Sequence, residues 1–444
     1  MRFFVFASLV AATVSTGLVI AACSEDSANP AGGADPDAAK IEGGPGSDGS
    51  DIDGARGDDG SVKDAAFDGT KKDGDTDTDG AIADDGGVIE GGAPPSVLLI
   101  GRFENDGVGD KFAFPGSKVI ARFKGAAATM RLSQTDVFNV GHSWFNVVVD
   151  GVVQPKIEVN PASFDYAVAT NLDPNLAHTV EIEKRTEANL GVVRFEGVTF
   201  PGGGVLLGPP ARPARRIEFL SDSTIDGFGI EGSRVMGAAN YCGDPVPATN
   251  YGALPQFGNA RKSMPALAAA SLGAEHFLIA YSGKGLTKNE FAGDTLYFPT
   301  LYDRVLPDTA GSVYGFAWKP DAVVISLGGT DFGGLTAEPA GFSAAYGGLV
   351  DKIRAHYPTA WIFLTVWSQI KEDSGNAATL PRAGMRAALQ GIIAAKGDAR
   401  ISYFQFPEAN GGLDETGCQY HGNETHHANM AALLTTELKN KLGW

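Results

Sequence analysis

The chain has 444 residues, 43% hydrophobic content and a net charge of -18, enough for two globular domains with further segments. Between Ser24 and Pro95 lie 19 acidic and 5 basic residues, so that stretch alone carries -14. The remainder is mildly acidic, and no basic patch points to a nucleic-acid partner.

Met1 to Ala22 reads as a secretory signal: Arg2, the apolar run Phe3 to Ile20, then small residues. Ile20-Ala-Ala-Cys23 resembles a bacterial lipoprotein cleavage site, in which Cys23 becomes the lipidated N-terminus. The expectation is an exported protein of the bacterial cell envelope, touching membrane through that lipid alone. Residues 23–95 are rich in Gly, Asp, Ala and Ser and poor in aromatics, the composition of a flexible tether. Within it, Asp75-Thr-Asp77-Thr-Asp79-Gly80 imitates a calcium loop, but Gly86 stands where that loop needs Glu. The remaining cysteines, Cys242 and Cys418, are an even pair in an exported chain and predict a disulfide.

From 96 to 208 the pattern turns to short β-type runs: Ser96 to Gly101, Lys118 to Phe123, Trp144 to Val149, His178 to Lys184 and Val192 to Phe200. Asp150-Gly151 reads as a hairpin turn. An antiparallel β-sandwich fits. After the Pro-rich connection Pro209 to Pro213, strands and helices alternate through 444. The strands are Ile217 to Leu220, Phe277 to Tyr281, Ala322 to Leu327, Trp361 to Val366 and Ile401 to Phe406. The helices are Lys262 to Leu272, Ala344 to Tyr357, Arg382 to Lys396 and Thr425 to Lys441. This rhythm predicts a parallel sheet of flavodoxin-like order covered by helices on both faces.

No Gly-x-Ser-x-Gly elbow, His-Glu-x-x-His helix or phosphate-binding Gly-Lys loop occurs. Instead, small polar residues follow predicted strands. Ser223 follows the first, Ser282-Gly283-Lys284-Gly285 the second and Gly328-Gly329-Thr330-Asp331 the third. His421 comes after the fifth. A nucleophile, hydrogen-bond donors and a base on one cleft rim are what acyl transfer requires. Asp222 and Asp331 read as structural. His421, His426 and His427 lack the spacing of a metal site. Trp367, just past a strand end, reads equally as a sugar platform or as packing.

The order of these blocks looks like the SGNH (GDSL-type) hydrolases, and Gly101 to Trp444 resembles carbohydrate esterase family 2. The resemblance rests on Phe145-Asn-Val-Val-Val-Asp-Gly151, Lys184-Arg-Thr-Glu187, Ile217-Glu-Phe219, Ser282-Gly-Lys-Gly285 and Cys418-Gln-Tyr-His421. It implies a jelly-roll sandwich before a three-layer α/β domain, and removal of O-acetyl groups from polysaccharides such as xylan or glucomannan. It implies Ser223 as nucleophile, His421 as base, and the N–H groups of Ser223 and Gly283 as the oxyanion hole. No metal or cofactor is needed, the partner is an acetylated poly- or oligosaccharide, and a monomer is expected. Ser221 replaces the family's usual Gly, and Thr330 replaces its Asn, which makes the side-chain oxyanion donor a hydroxyl. Gln419 replaces the carboxylate that often orients the histidine, which leaves a backbone carbonyl or Gln419 itself to hold the ring. Gly422 replaces the usual Pro. The substitutions at 330 and 419 keep open an alternative, a glycan-binding lipoprotein on a weakened esterase scaffold.

Overall fold

The computed structural model describes residues 96–444 apart from 136–140, 160, 162–163, 244–253, 334–337 and 373–380. The signal stretch, the tether and Cys23 lie outside the described residues.

Residues 98–206 build two antiparallel sheets. The strands are β1 (Leu98–Ile100), β2 (Glu104–Asn105), β3 (Asp110–Phe112), β4 (Lys118–Lys124), β5 (Ala128–Thr135), β6 (Trp144–Val149), β7 (Val152–Glu158), β8 (Asp165–Ala169), β9 (Ala177–Lys184), β10 (Val192–Thr199) and β11 (Val205–Leu206). One sheet runs β1-β4-β9-β6-β7 with β11 beside β4, and the other runs β2-β3-β10-β5-β8. Strand β5 shows the cause: Ala128, Met130 and Leu132 point inward and alternate with less buried residues. Phe112, Phe123, Phe145, Ile182 and Phe195 fill the space between the sheets. Asp150 and Gly151 both have positive φ, 49° and 80°, as a two-residue turn joining β6 to β7 requires.

The rest is an α/β layer. Its strands are β12 (Arg215–Ser221), β13 (Ala274–Ala280), β14 (Ala322–Ser326), β15 (Trp361–Val366) and β16 (Ile401–Gln405). Its helices are α1 (Met264–Ser271), α2 (Phe298–Leu301), α3 (Gly329–Phe332), α4 (Phe342–His356), α5 (Pro381–Lys396) and α6 (Glu424–Leu442). The order β13-β12-β14-β15-β16, all parallel, is the flavodoxin-like order expected. Every residue of β14 is buried because helices cover both faces. Ile353, Leu389 and Ile392 of α4 and α5 pack on one face with Ile325 and Leu364. Met264, Leu434 and Leu438 of α1 and α6 pack on the other with Phe219 and Phe363.

Sandwich and α/β layer share buried polar joints. Arg102, fully buried, donates from Nη2 to Glu218 Oε1 at 3.0 Å and from Nη1 to Tyr302 O and Arg304 O. Its guanidinium lies 4.0 Å from the Tyr314 ring centroid. Nearer the cleft, Arg185 donates to Asn146 Oδ1 at 2.6 Å, and Asn146 donates to Asn259 Oδ1 at 2.9 Å. Two motif blocks of the sandwich thus end on the segment that leads into α1.

Candidate functional site

Ser221 ends β12 and lies opposite Ala280 of β13 and Ser326 of β14. The loops after these three strands therefore open side by side. Ser221 Oγ donates to Ser326 O at 3.2 Å, which satisfies this buried hydroxyl. Asp222 shapes the next turn: its Oδ1 accepts from Thr224 N at 3.0 Å and from Thr224 Oγ1 at 2.7 Å. Burial pushes the pKa of this carboxyl up. Ser223 emerges partly exposed, with Oγ 2.8 Å from His421 Nε2.

His421 follows a 3-10 turn over Cys418–Tyr420 in which Gln419 and Tyr420 take positive φ, 50° and 62°. For non-glycine residues this conformation is costly and needs support from its surroundings. The support comes from the loop after Ser223. Cys418 is bonded to Cys242 across 176 residues, with Cα atoms 5.8 Å apart. Cys418 N donates to Gly229 O at 3.2 Å, and a Cβ on Gly229 would lie 2.6 Å from Cys418 Cβ, so only glycine admits this approach. Arg234 donates to Glu415 O at 2.7 Å and Gly411 O at 3.1 Å, and its guanidinium lies 4.2 Å from the Tyr420 ring centroid.

This turn aims two carbonyls at the imidazole. His421 Nδ1 lies 3.0 Å from Gln419 O and 3.2 Å from Cys418 O. The contacts assign the proton to Nδ1, which leaves Nε2 as the acceptor facing Ser223. Among the described residues no carboxylate takes part: Asp414 faces His426 Nδ1 at 3.6 Å, and Glu415 pairs with Lys371 at 3.0 Å. The Phe228 ring packs 4.6 Å from the imidazole. Burial, the larger effect, holds the His421 pKa below its ordinary value against the two carbonyls.

The loop after β13 is fixed by Asp331. Its carboxylate accepts from Leu286 N at 2.9 Å, Thr287 N at 2.8 Å, Thr287 Oγ1 at 2.8 Å and Lys288 N at 3.2 Å. Gly283 has φ +71° in this loop. Among the described residues, neither the Ser223 N–H nor the Gly283 N–H has an acceptor. Thr330 reaches the same rim, but its hydroxyl donates to Asp222 Oδ2 at 3.2 Å. Asp222 and Asp331 thus have the structural roles read for them.

Of the two readings of Trp367, sugar platform or packing, the structure bears out packing. Trp367 is 2% exposed, wedged against Phe406, His426 and His427 at centroid distances of 5.0, 5.5 and 5.8 Å, and offers no face to a sugar. Both histidines serve the packing: His426 Nε2 pairs with Ser368 Oγ at 2.6 Å, and His427 Nδ1 accepts from Met264 N at 3.1 Å. Among the described residues no cluster of three or more His, Cys, Asp or Glu is arranged to hold a metal, and no helix is long and apolar enough to cross a membrane. The sequence reading missed Arg234 and Phe228. Arg234 carries no local signal, whereas Phe228 lies inside the Gly227-Phe-Gly229 turn.

Residues 99–210 match the family model described as the carbohydrate esterase 2 N-terminal domain. The solved family two carbohydrate esterase from Clostridium thermocellum, in complex with cellohexaose, is 32% identical with a TM-score of 0.68. The match covers 79% of this chain and 100% of that one. The chain belongs to carbohydrate esterase family 2. A family relative, the cellulase/esterase CelE of Acetivibrio thermocellus, is 32% identical over 352 residues; these are 79% of this chain but 40% of CelE. The acetylxylan esterase / glucomannan deacetylase of Cellvibrio japonicus is 25% identical over 355 residues, 79% of this chain and 90% of that protein.

Proposed function

We propose that this family 2 esterase removes O-acetyl groups from polysaccharides of the acetylxylan and glucomannan kind, with Ser223 as nucleophile and His421 as general base. The observation that carries this is the 2.8 Å contact from Ser223 Oγ to His421 Nε2, with Nδ1 occupied by main-chain carbonyls. A serine hydroxyl is a weak nucleophile until a neighbouring base takes its proton. In the first step His421 Nε2 receives that proton as Oγ bonds to the acetyl carbonyl carbon. The carbonyl oxygen becomes an oxyanion, stabilised by the N–H groups of Ser223 and Gly283. Collapse breaks the bond to the sugar oxygen, which leaves with the proton from His421. Water, deprotonated by the same imidazole, then attacks the acetyl-serine, and acetate departs as Ser223 regains its proton.

The names of the Cellvibrio japonicus and Acetivibrio thermocellus relatives support the substrate class. Thr330 belongs in this reading as a clamp on Asp222 in the turn that carries Ser223, and its hydroxyl reaches the oxyanion only by leaving that carboxylate. The leader and Cys23 are read as an export signal and lipid anchor on the cell envelope. Acetate release from acetylated xylan and glucomannan tests the proposal. Wild type releases acetate, and Ser223→Ala lowers turnover by roughly 10⁶, the loss seen when the nucleophile of a serine hydrolase is removed. Release undiminished in Ser223→Ala refutes it.

A further inference from the structure

The loop that carries Gly283 folds back on itself. Glu290 N donates to Gly283 O at 2.9 Å. Asn289 accepts from Gly285 N at 3.0 Å and donates to Asp294 O and Leu296 O at 3.0 and 3.1 Å. Lys284, buried, closes the fold on Asp294 at 2.6 Å. The resulting shelf lays Glu290 against Gly283: a Cβ on Gly283 would lie 3.2 Å from Glu290 Cβ and 3.3 Å from Glu290 Oε2. Among the described residues the Glu290 carboxylate has no hydrogen-bond donor and no cation.

This placement is an electrostatic liability for acyl transfer. Negative charge develops on the carbonyl oxygen beside Gly283 N, and a like charge next to it repels. The side chain as a whole is exposed, yet its Oε2 lies beside Gly283, and lost solvation and, second, the Asp222 carboxylate raise its pKa. A partly desolvated carboxylate without a donor becomes favourable when the bound substrate supplies one. An acetyl ester with its carbonyl oxygen between the Ser223 and Gly283 N–H groups brings the rest of its sugar into the same cleft. The donor that a neutral polysaccharide brings there is a hydroxyl.

We infer that Glu290 accepts a hydrogen bond from a free sugar hydroxyl neighbouring the acetylated one. The site then selects partly acetylated sugars over fully acetylated ones and over acetate esters of simple alcohols. The inference rests on the esterase reading above and adds a specificity residue to it. A pocket built to bind a hydroxyl discriminates strongly against an analogue that lacks it, because its own acceptor is left unpaired.

The test compares kcat/KM on a mono-O-acetyl xyloside with a free neighbouring hydroxyl, the fully acetylated xyloside and ethyl acetate. Wild type, Glu290→Gln and Glu290→Ala are assayed on all three. Wild type prefers the mono-acetate, and Glu290→Ala shrinks that preference by about tenfold to a hundredfold, the range for a hydrogen bond to a charged group. Glu290→Gln keeps an uncharged acceptor oxygen and retains part of it. A preference absent in wild type, or unmoved in Glu290→Ala, overturns this inference while leaving the esterase reading intact. A wild type that hydrolyses none of the three overturns both.

Discussion

Among the described residues His421 Nδ1 faces two carbonyls and no carboxylate, and this sets how its charge responds to pH. Two carbonyl dipoles favour the imidazolium weakly, and burial disfavours it more, so the ring titrates below its ordinary 6.5. The base works in its neutral form, so a lowered pKa extends activity toward acid rather than curtailing it. The acid limb of kcat/KM on an acetyl ester is therefore centred below pH 6.5. A limb centred above that value means a charge partner for His421 in solution. At this scale the chain was legible in part. Ser223, His421, Asp222 and Asp331 could be placed by type and by strand end. The absence of an acid at Gln419 could be read as well, but not which carbonyl holds the ring. That depends on positive φ at Gln419 and Tyr420, which no side-chain type announces. Thr330 was placed at the correct rim, but its bond to Asp222 is made across 108 residues and leaves no local trace. Trp367 shows the same limit, because a strand end fixes position and not burial.

The elements of the α/β layer were legible because their physics is simple. Parallel strands buried on both faces are continuous apolar runs, and α4, α5 and α6 have long helical patterns. The sandwich was harder. Strand β8 reads exposed, intermediate, exposed, then buried, and β2 has two residues, so neither shows a clean alternation. The bond between Cys242 and Cys418 could be anticipated from cysteine number and a leader that reads as an export signal. It ties the loop after the nucleophile to the strained turn beneath His421, so it serves both stability and alignment. Replacing both cysteines by serine costs about 4–5 kcal/mol for a loop of 176 residues. It also lowers kcat at temperatures where the protein remains folded. Denaturant titration and kinetics on the double variant measure the two effects, and an unchanged unfolding midpoint contradicts the stabilising role.

Across the whole molecule, the sandwich is joined to the α/β layer by the buried Arg102–Glu218 pair, which Tyr302 Oη supports by donating to Glu218 Oε2 at 2.7 Å. Glu218 lies five residues before Ser223 on the same strand-to-loop unit, so this joint anchors the nucleophile's strand to the N-terminal half. Truncating one partner leaves the other as an uncompensated buried charge. Arg102→Ala is expected to lower unfolding free energy by about 3–5 kcal/mol. Chemical denaturation measures this, and a loss under about 1 kcal/mol means the joint contributes little. Glu218 was visible in the sequence only as a charge inside an apolar strand, and its partner 116 residues earlier was not.

In the proposed reaction Ser223 is a nucleophile activated by His421. The most direct measurement is covalent: treatment with an alkyl fluorophosphonate, which traps activated serines, followed by mass spectrometry of the intact protein and its peptides. Wild type should gain one phosphonyl group, located on the peptide containing Ser223. Ser223→Ala should gain none, and His421→Ala should react far more slowly. An adduct on a different serine, or equal labelling of Ser223→Ala, would contradict the account.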